Sequence, residues 1–446
     1  MSELDPGTEP LGAIDDSAVG AETAKRARAP RGVAAADPRK QQVRVRAGTL
    51  LAALKDVAGA IEGRNTIPIL GNVLFAVSSS SHSIELTGTD LDLWVVRELV
   101  CEEQAADERW FTLTLPAKPL LAVIGELDAD AMVTISAPES YVSGGERRAT
   151  IAAGRSRFKL PVLPAEEFPL PPPIEVAASL ELPCTQLADA FAAVEHAIST
   201  KETRYYLNGI YIHAEEADLS LRMATTDGHR LARLKLTDLE GARAWPAMIV
   251  ARKTIGLLDR LLAGAAKTTE GVNTTPAAVA IDAGGTVPGC MVRFLMDAAD
   301  GGSIEILAKT IDGSFPDYTR VIPETVERTA LVDRASLSAA VKRVAVLAEA
   351  KSRAVKAEFE DDVLTLTVTS AEAGEASEEV PCSYGGPPLT IGFDAKYWRD
   401  ALGALACETV AMGMSDAMAP CRIRAVEGDD RSEGNRLVQV LMPVRV

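Results

Sequence analysis

Asp227 and His229 stand two residues apart in 225-TTDGHRLARL, a spacing that puts a carboxylate and an imidazole on one face if a strand runs through both. Such a pair moves protons only when a reacting group lies beside it. The chain offers no nucleophile elbow, no paired catalytic carboxylates and no glycine-rich phosphate loop ending in Lys-Ser or Lys-Thr. The preferred reading is therefore a strand end followed by a turn. His82, His196, His213 and His229 form no HxH or HxxxH spacing, and Cys101, Cys184, Cys290, Cys382, Cys407 and Cys421 form no CxxC pair. The expectation is no catalytic residue, no metal and no cofactor, with the cysteines as reduced, buried thiols.

Binding chemistry has more support. In 204-RYYLNGIYI, Tyr205 and Tyr206 beside Arg204 offer ring faces and a cation to a nucleic acid strand, although half-buried strand aromatics are the simpler reading. The formal net charge is −17, so any surface that meets phosphates must gather its cations locally. Lys55, Arg64, Lys118, Lys201, Arg204, Arg252, Lys253, Arg260, Lys342, Arg343, Lys396 and Arg399 all fall on expected helices or at their ends. If those helices face one way they form a positive surface that reads no sequence; otherwise they are ordinary solvated faces. Asp56, Glu195, Asp259 and Asp400 share the same helices.

These side chains need a scaffold, and the sequence describes one. With 446 residues at 47% hydrophobic composition the chain can fill several cores. From Val43 onward a unit recurs six times: an alternating strand, an amphipathic helix, then two or three more alternating strands. The leading strands begin near Val43, Trp110, Ala178, Ala247, Thr329 and Leu389. The helix stripes run Leu51, Leu54, Ala58; Leu120, Val123, Leu127; Leu187, Phe191, Val194; Ile255, Leu258, Leu261; Leu337, Val341, Val344; and Tyr397, Ala401, Leu405. Segments such as 132-MVTISAP and 363-VLTLTVTS alternate as half-buried antiparallel strands do. Pairs of units make three α+β domains, 43–172, 173–325 and 326–446, jointed at 161-PVLPAEEFPLPPP and 315-FPDYTRVIPE. Residues 1–42 have no period and read as a disordered tail.

Three segments look unfinished in isolation. The terminal 437-LVQVLMPVRV alternates until Pro443, which removes a ladder donor, so its last residues should leave the sheet and form either core closure or one wall of an apolar peptide groove. In 153-AGRSRFKL, Arg155, Arg157 and Lys159 occupy one strand face, opposite Phe158 and Leu160. Far away, 371-AEAGEASEEV carries Glu372, Glu375, Glu378 and Glu379. Two edges of opposite charge could pair between subunits, or could simply be solvated.

Taken in order, 64-RNTIPILGNVLF, 155-RSRFKLPVLPAEEFP, 204-RYYLNGIYI, 225-TTDGHRLARL, 311-IDGSFPDYTRVIP and the closing MPVRV resemble the beta subunit of bacterial DNA polymerase III, the sliding clamp, from about Val43 to Val446. The resemblance implies three tandem copies of the clamp fold, closed head to tail into a homodimeric ring whose helices line a hole for duplex DNA. It implies a processivity factor without catalysis, acidic outside and basic on the inner helices. Its partners would be duplex DNA, a second copy, the polymerase III alpha subunit, the clamp loader, and other polymerases and repair proteins that carry a short apolar motif. The motif pocket carries over onto Leu207, Thr226, Gly228, His229, Arg230, Leu231, Pro323, Val440, Met442, Pro443 and Val444. Arg64, Tyr205 and Tyr206 match DNA-contacting positions, and Lys201, Arg204, Arg252 and Lys253 supply cations nearby. At the subunit junction, Arg155, Arg157 and Phe158 would meet Val346, Leu347 and the Glu372, Glu375, Glu378 and Glu379 segment of the other chain. The tail and the polar stretches 266-AKTTEGVNTTPAA and 297-DAADGGS depart from the family pattern.

The absence of a signal pattern and of any apolar run of roughly 18 residues points to a soluble cytoplasmic protein. The competing classes are a repeat scaffold that never encircles DNA and a DNA-processing hydrolase using Asp227 and His229.

Overall fold

The computed structural model describes residues 42–63, 66–78, 83–100, 111–138, 147–215, 217, 220–268, 278–284, 290–298, 300–348, 353–426 and 436–446. The tail before Gln42, Arg64, His82, Cys101 and the central part of the 266–278 stretch lie outside them.

Among the described residues the strand–helix–strands unit occurs six times. The first is β1 (Gln42–Arg46), α1 (Ala47–Ala58), β2 (Asn72–Ser78), β3 (Ser83–Thr89) and β4 (Leu93–Val100). The second is β5 (Phe111–Pro116), α2 (Ala117–Gly125), β6 (Met132–Ser136), β7 (Arg148–Ala153) and β8 (Ser156–Pro161). Next come β9 (Val176–Pro183), α3 (Cys184–Val194), β10 (Gly209–Glu215), β11 (Ser220–Thr226) and β12 (Arg230–Leu236). The fourth is β13 (Met248–Ala251), α4 (Arg252–Thr268), β14 (Ala278–Gly284), β15 (Met291–Asp297) and β16 (Ser303–Lys309). The last two are β17 (Arg328–Asp333), α5 (Arg334–Val344), β18 (Ala354–Glu360), β19 (Val363–Ser370), β20 (Gly374–Tyr384), then β21 (Leu389–Asp394), α6 (Ala395–Gly403), β22 (Thr409–Met414), β23 (Cys421–Ala425) and β24 (Leu437–Leu441).

Each leading strand pairs with the trailing strands of the other unit in its domain, so neither unit folds alone. The orders are β1-β6-β7-β8 and β5-β2-β3-β4, then β9-β14-β15-β16 and β13-β10-β11-β12, then β17-β22-β23-β24 and β21-β18-β19-β20. All these pairings are antiparallel. Fourth strands then join across the long connections: β4 pairs with β16 from Leu93↔Ala308 to Arg97↔Ile304, and β12 with β24 from Arg230↔Leu441 to Leu234↔Leu437. Sheets are thereby continuous from one domain to the next. β8 and most of β20 are the fourth strands left without such a partner, since β20 bonds β17 only through Cys382, Ser383 and Tyr384.

The helices pack on the other face of these sheets, and three stripes match the spacing while three are displaced. α3, α4 and α5 bury Leu187, Phe191 and Val194; Ile255, Leu258 and Leu261; and Leu337, Val341 and Val344. α1 instead buries Leu50, Leu54 and Val57, and α2 buries Leu120 and Ile124. α6 buries Trp398, Ala401 and Leu402, leaving Tyr397 half-exposed. Where two apolar residues are adjacent, a 3.6-residue period does not say which one points inward. Each buried Leu or Phe contributes about 1.5–3 kcal/mol. Asp333 and Asp394 cap α5 and α6, accepting from Ser336 N at 2.7 Å and Lys396 N at 2.8 Å. Cys184, Cys290, Cys407 and Cys421 are buried free thiols; Cys382 is only half-buried.

The stretch after β15, read as a polar insertion, has a structural task. Its Asp300 binds the Arg97 guanidinium, and Arg97 Nε also donates to Asp56 Oδ2 at 3.2 Å. Arg97 is only 2% exposed, so this three-residue cluster cements the β4–β16 joint to α1.

Candidate functional site

The β12–β24 joint gathers most of the expected pocket residues. β11 ends at Thr226, residues 227–229 turn, and β12 starts at Arg230. Gly228 makes the turn possible with φ +87°, a conformation that L side chains rarely adopt. Asp227 Oδ1 accepts from the backbone N–H of His229 at 2.9 Å and of Arg230 at 3.1 Å, and Thr226 Oγ1 donates to Arg230 O at 2.7 Å. The Asp227 carboxylate thus holds the turn and the Arg230 guanidinium. The His229 ring lies elsewhere, stacked on Tyr397 with centroids 6.2 Å apart. A continuous strand through 227–229 does not exist, and the acid–base reading loses its geometry.

From this turn the backbone crosses to the end of the chain. Met442 N donates to His229 O at 2.9 Å, extending the ladder one step past Leu441. Pro443 then ends it, and Val444 returns as a single bridge to Gly392. The predicted exit of the last residues is therefore partial. On the sheet face opposite the helices, Leu231, Val438 and Val440 pack with Ala224 and Tyr318, and with the partly buried Tyr211, Phe315 and Ile322. The connection 315–322 lies over that face. Leu207, Leu231 and Val440 are buried, whereas Gly228, His229 and Met442 are exposed and Thr226, Pro323, Pro443 and Val444 half-exposed. Pro323 is tied to the next strand through its carbonyl, which accepts from Arg422 Nη1 at 2.6 Å.

Beneath this surface lies a charge cluster that residue spacing did not reveal. Arg230 is 6% exposed; its Nε meets Asp227 Oδ2 at 3.1 Å, its Nη1 meets Asp400 Oδ2 at 2.5 Å, and its guanidinium sits 4.4 Å from the Tyr397 ring centroid. Burial pushes the Asp400 carboxyl up, but the hydrogen bonds from Arg230 and Lys396 outweigh it and hold the group below its ordinary range. α6 is thereby tied to the turn at 227–230. On the helix side of β24, Gln439 is 1% exposed, accepts from His196 Nε2 at 3.1 Å and donates to Ala193 O at 3.3 Å. Burial first, then the nearby Arg230 charge, lowers the His196 pKa to about 4.

The expected nucleic-acid residues lie on the exposed side of the helices and the turn after α3. Lys201, Arg204, Arg252 and Lys253 are exposed, Tyr205 is 54% exposed, and Tyr206 packs edge-on against it at 5.8 Å. Arg64 lies outside the described residues. Several cations are not simply displayed: Lys253 is bonded to Asp90 and lies 3.6 Å from Glu62, Arg343 binds Glu378, and Lys396 lies 2.9 Å from Asp400. Glu195 and Asp259 share a hydrogen bond on the same surface; burial and the Asp259 charge raise Glu195 to about 7.

At the two open edges, Phe158 and Leu160 face the core while Arg157 and Lys159 face away. Arg155 sits in the β7–β8 turn rather than on the strand. On β20, Glu375 and Glu379 are exposed, and Glu372 precedes the strand in a turn. Glu378 points to the helix side, where Arg343 Nε donates to it at 3.0 Å and depresses its pKa. That carboxylate is used within the chain. Val346 is 76% exposed and Leu347 half-buried, beside the same strand.

Among the described residues no group of three His, Cys, Asp or Glu side chains could hold a metal, and no helix is long and apolar enough to cross a membrane.

Comparison with known proteins matches most of the described region. Models of the N-terminal, central and C-terminal domains of the DNA polymerase III beta subunit match residues 41–172, 181–317 and 319–445. The beta sliding clamp of Caulobacter vibrioides is 37% identical over 399 residues, 89% of this chain and 98% of that protein. The Pseudomonas putida beta sliding clamp is 31% identical over 401 residues, again 89% and 98%. Among solved structures, the Caulobacter crescentus beta sliding clamp superposes with a TM-score of 0.79 at 36% identity, covering 91% of this chain and 99% of that one. A sliding clamp from Bartonella birtlesii bound to griselimycin gives 0.78 at 32%, covering 91% and 100%.

Proposed function

The chain belongs to the DNA polymerase III beta subunit family and is a DNA sliding clamp, and we propose from its open edges and exposed sites how it performs that role. Two copies close head to tail into a ring. The observation that carries this is the pairing rule of the fold: β4 joins β16 and β12 joins β24, each a fourth strand of a first unit with a fourth strand of a second unit. The remaining pair under that rule is β20 of one copy with β8 of the other. Their charges match, with Arg157 and Lys159 on β8 opposite Glu375 and Glu379 on β20, Arg155 and Glu372 at the adjoining turns, and Phe158 near Val346 and Leu347. A head-to-tail contact that closes after two copies makes a ring rather than a fibre.

Domains 43–172, 173–325 and 326–446 then repeat around the ring, with helices inward. Lys201, Arg204, Arg252, Lys253, Tyr205 and Tyr206, together with Arg64, contact the backbone of duplex DNA without reading sequence. No reaction is catalysed; the ring retains DNA by topology. The pocket at the β12–β24 joint receives a short apolar motif, with Leu207, Leu231 and Val440 as walls and His229, Met442, Pro443 and Val444 at the mouth. Its occupants are the polymerase III alpha subunit, the clamp loader, and other polymerases and repair proteins of the cytoplasm.

The test loads the protein onto nicked circular DNA with a clamp loader and ATP, then raises the salt. Retention on circles with rapid loss after linearisation is expected. Equal loss from both forms would show purely electrostatic binding, which weakens steeply with salt, and would end the topological reading.

A further inference from the structure

The second leading strand of each domain (β5, β13 or β21) meets the segment that leaves the domain's last strand, always three residues before the helix begins. In the first domain that position is Thr114, whose Oγ1 donates to Leu163 O at 2.7 Å and accepts from Leu163 N at 2.9 Å. In the second it is Ile249, whose carbonyl accepts from Ile311 N at 2.8 Å. In the third it is Gly392, whose carbonyl accepts from Val444 N at 2.9 Å. The contact itself therefore does not require a glycine. What differs is the course of the segment that arrives. Ile391 and Phe393 are buried in the core, so position 392 faces away from it. A Cβ at 392 would meet Val444 O and Val446 Cγ1 well inside 3.0 Å, an approach that real Cβ atoms essentially never make, and would lie 3.1 Å from Val446 Cγ2. The segment thus lies flat on β21, an edge strand of its sheet, at a distance that only a residue without a side chain permits.

Residues 442–444 of that segment form the mouth of the proposed peptide pocket. Met442 N donates to His229 O at 2.9 Å and Val444 N to Gly392 O, so Pro443 is strung between two backbone hydrogen bonds. Resting on that pocket reading, we propose that Gly392 is a positioning residue for peptide binding: by carrying no side chain it lets Val444 and Val446 seat on β21, which fixes Pro443 and Val444 at the mouth. Seating counts in affinity because a wall that is already ordered adds no ordering cost when a peptide arrives. Gly392 itself lies behind the segment and touches no peptide. A side chain at 392 leaves Leu207, Leu231 and Val440 in place and releases only the mouth.

The test compares four forms of the protein: wild type, Gly392→Ala, a chain lacking residues 444–446, and the two changes combined. A fluorescein-labelled pentapeptide of alternating leucine and serine, read by anisotropy, probes the pocket, and hydrogen exchange of the Val444 amide reads the seating directly. In Gly392→Ala the Val444 amide should exchange about tenfold faster or more, while the amides of Leu437 to Leu441 keep their protection. Peptide affinity of the same variant should fall by about tenfold. Removing residues 444–446 should cost a similar factor, and adding Gly392→Ala to the shortened chain should cost nothing further, because the new methyl group then has nothing to displace. A Val444 amide that stays protected in Gly392→Ala overturns the proposal. So does wild-type peptide affinity once that amide is released, or a combined loss equal to the product of the two single losses; each of these leaves the pocket standing. A wild-type chain that fails to bind the peptide removes the pocket reading itself and the proposal with it, a result visible in the wild-type titration alone.

Discussion

His196 Nε2 lies 3.1 Å from Oε1 of Gln439, a hydrogen bond between residues 243 positions apart that pins the end of α3 to the back of β24. Gln439 accepts through its carbonyl oxygen, so the His196 nitrogen must carry the proton, and the other ring nitrogen has no hydrogen-bond partner among the described residues. The ring is therefore neutral at physiological pH. Val440, on the opposite face of the same strand, is a wall of the proposed peptide pocket, so this bond would support that pocket from behind.

Protonation of His196 should loosen that support. Its folded pKa of about 4 lies below the ordinary 6.5, so the stabilisation is present above pH 6.5 and is lost as pH falls toward 4. The full span corresponds to about 3 kcal/mol. Urea unfolding at pH 7 and pH 4.5 should show a smaller loss for His196→Gln than for wild type; identical losses would rule His196 out. Glu195 acts with the opposite sign: its folded pKa, about 7, exceeds the ordinary 4.5, so its stabilisation is present below 4.5 and is lost as pH rises through 7. Glu195→Gln should flatten the stability profile between pH 5 and pH 8.

Removing the Arg230 side chain leaves Asp227 and Asp400 without their shared partner in a site that is largely closed to water. Arg230→Ala should cost about 3–5 kcal/mol, as expected when one member of a buried ion cluster is deleted. Arg230→Ala combined with Asp400→Asn should cost less than the sum of the two single changes. Denaturant midpoints on all three variants decide this, and strict additivity would mean that the two side chains are uncoupled.

At the proposed β8–β20 seam, Arg155→Glu with Arg157→Glu sets like charges against Glu372, Glu375 and Glu379. The dimer dissociation constant, followed by sedimentation equilibrium, should rise by about fourfold or more, since each opposed pair is worth roughly 0.2–1 kcal/mol and reversal changes its sign. Glu375→Arg with Glu379→Arg in the same chain should restore the dimer. An unaffected dimer would refute the β8–β20 assignment.

Pocket and ring should separate experimentally. Met442→Asp places a charge at the mouth, on a residue 37% exposed, so folding should survive while affinity for an apolar pentapeptide falls by about tenfold or more. Retention on circular DNA after loading should not change. Because the clamp loader is itself a pocket occupant, the salt challenge is read as the retention half-life of the fraction that loads, and a shorter half-life for loaded Met442→Asp would show that the two properties are not distinct.

Local patterns in the sequence carried the architecture. The expected leading strands at Val43, Trp110, Ala178, Ala247, Thr329 and Leu389 lie within two residues of the observed starts, because strand alternation and helix period depend on near neighbours. Choices between adjacent residues were not legible: Leu50 against Leu51, Tyr397 against Trp398, and Glu378 against Glu379 are each settled by which way the element rotates when it packs. Nor were the Arg97–Asp300 and Arg230–Asp400 pairs, whose partners are far apart in the chain and meet only once the sheets join. The pocket and DNA residues were named through family resemblance; spacing alone reached a repeated α+β fold with basic helices.

The β4–β16 and β12–β24 ladders also decide where a ring of this protein is stiff. Flexing either joint would stretch a row of backbone hydrogen bonds at once, along with the Arg97 or Arg230 cluster beside it. Elastic compliance is therefore lowest inside each copy. In the proposed ring, strain would accumulate where β20 and β8 join separate chains, and admission of DNA would become a matter of breaking one seam between two stiff copies.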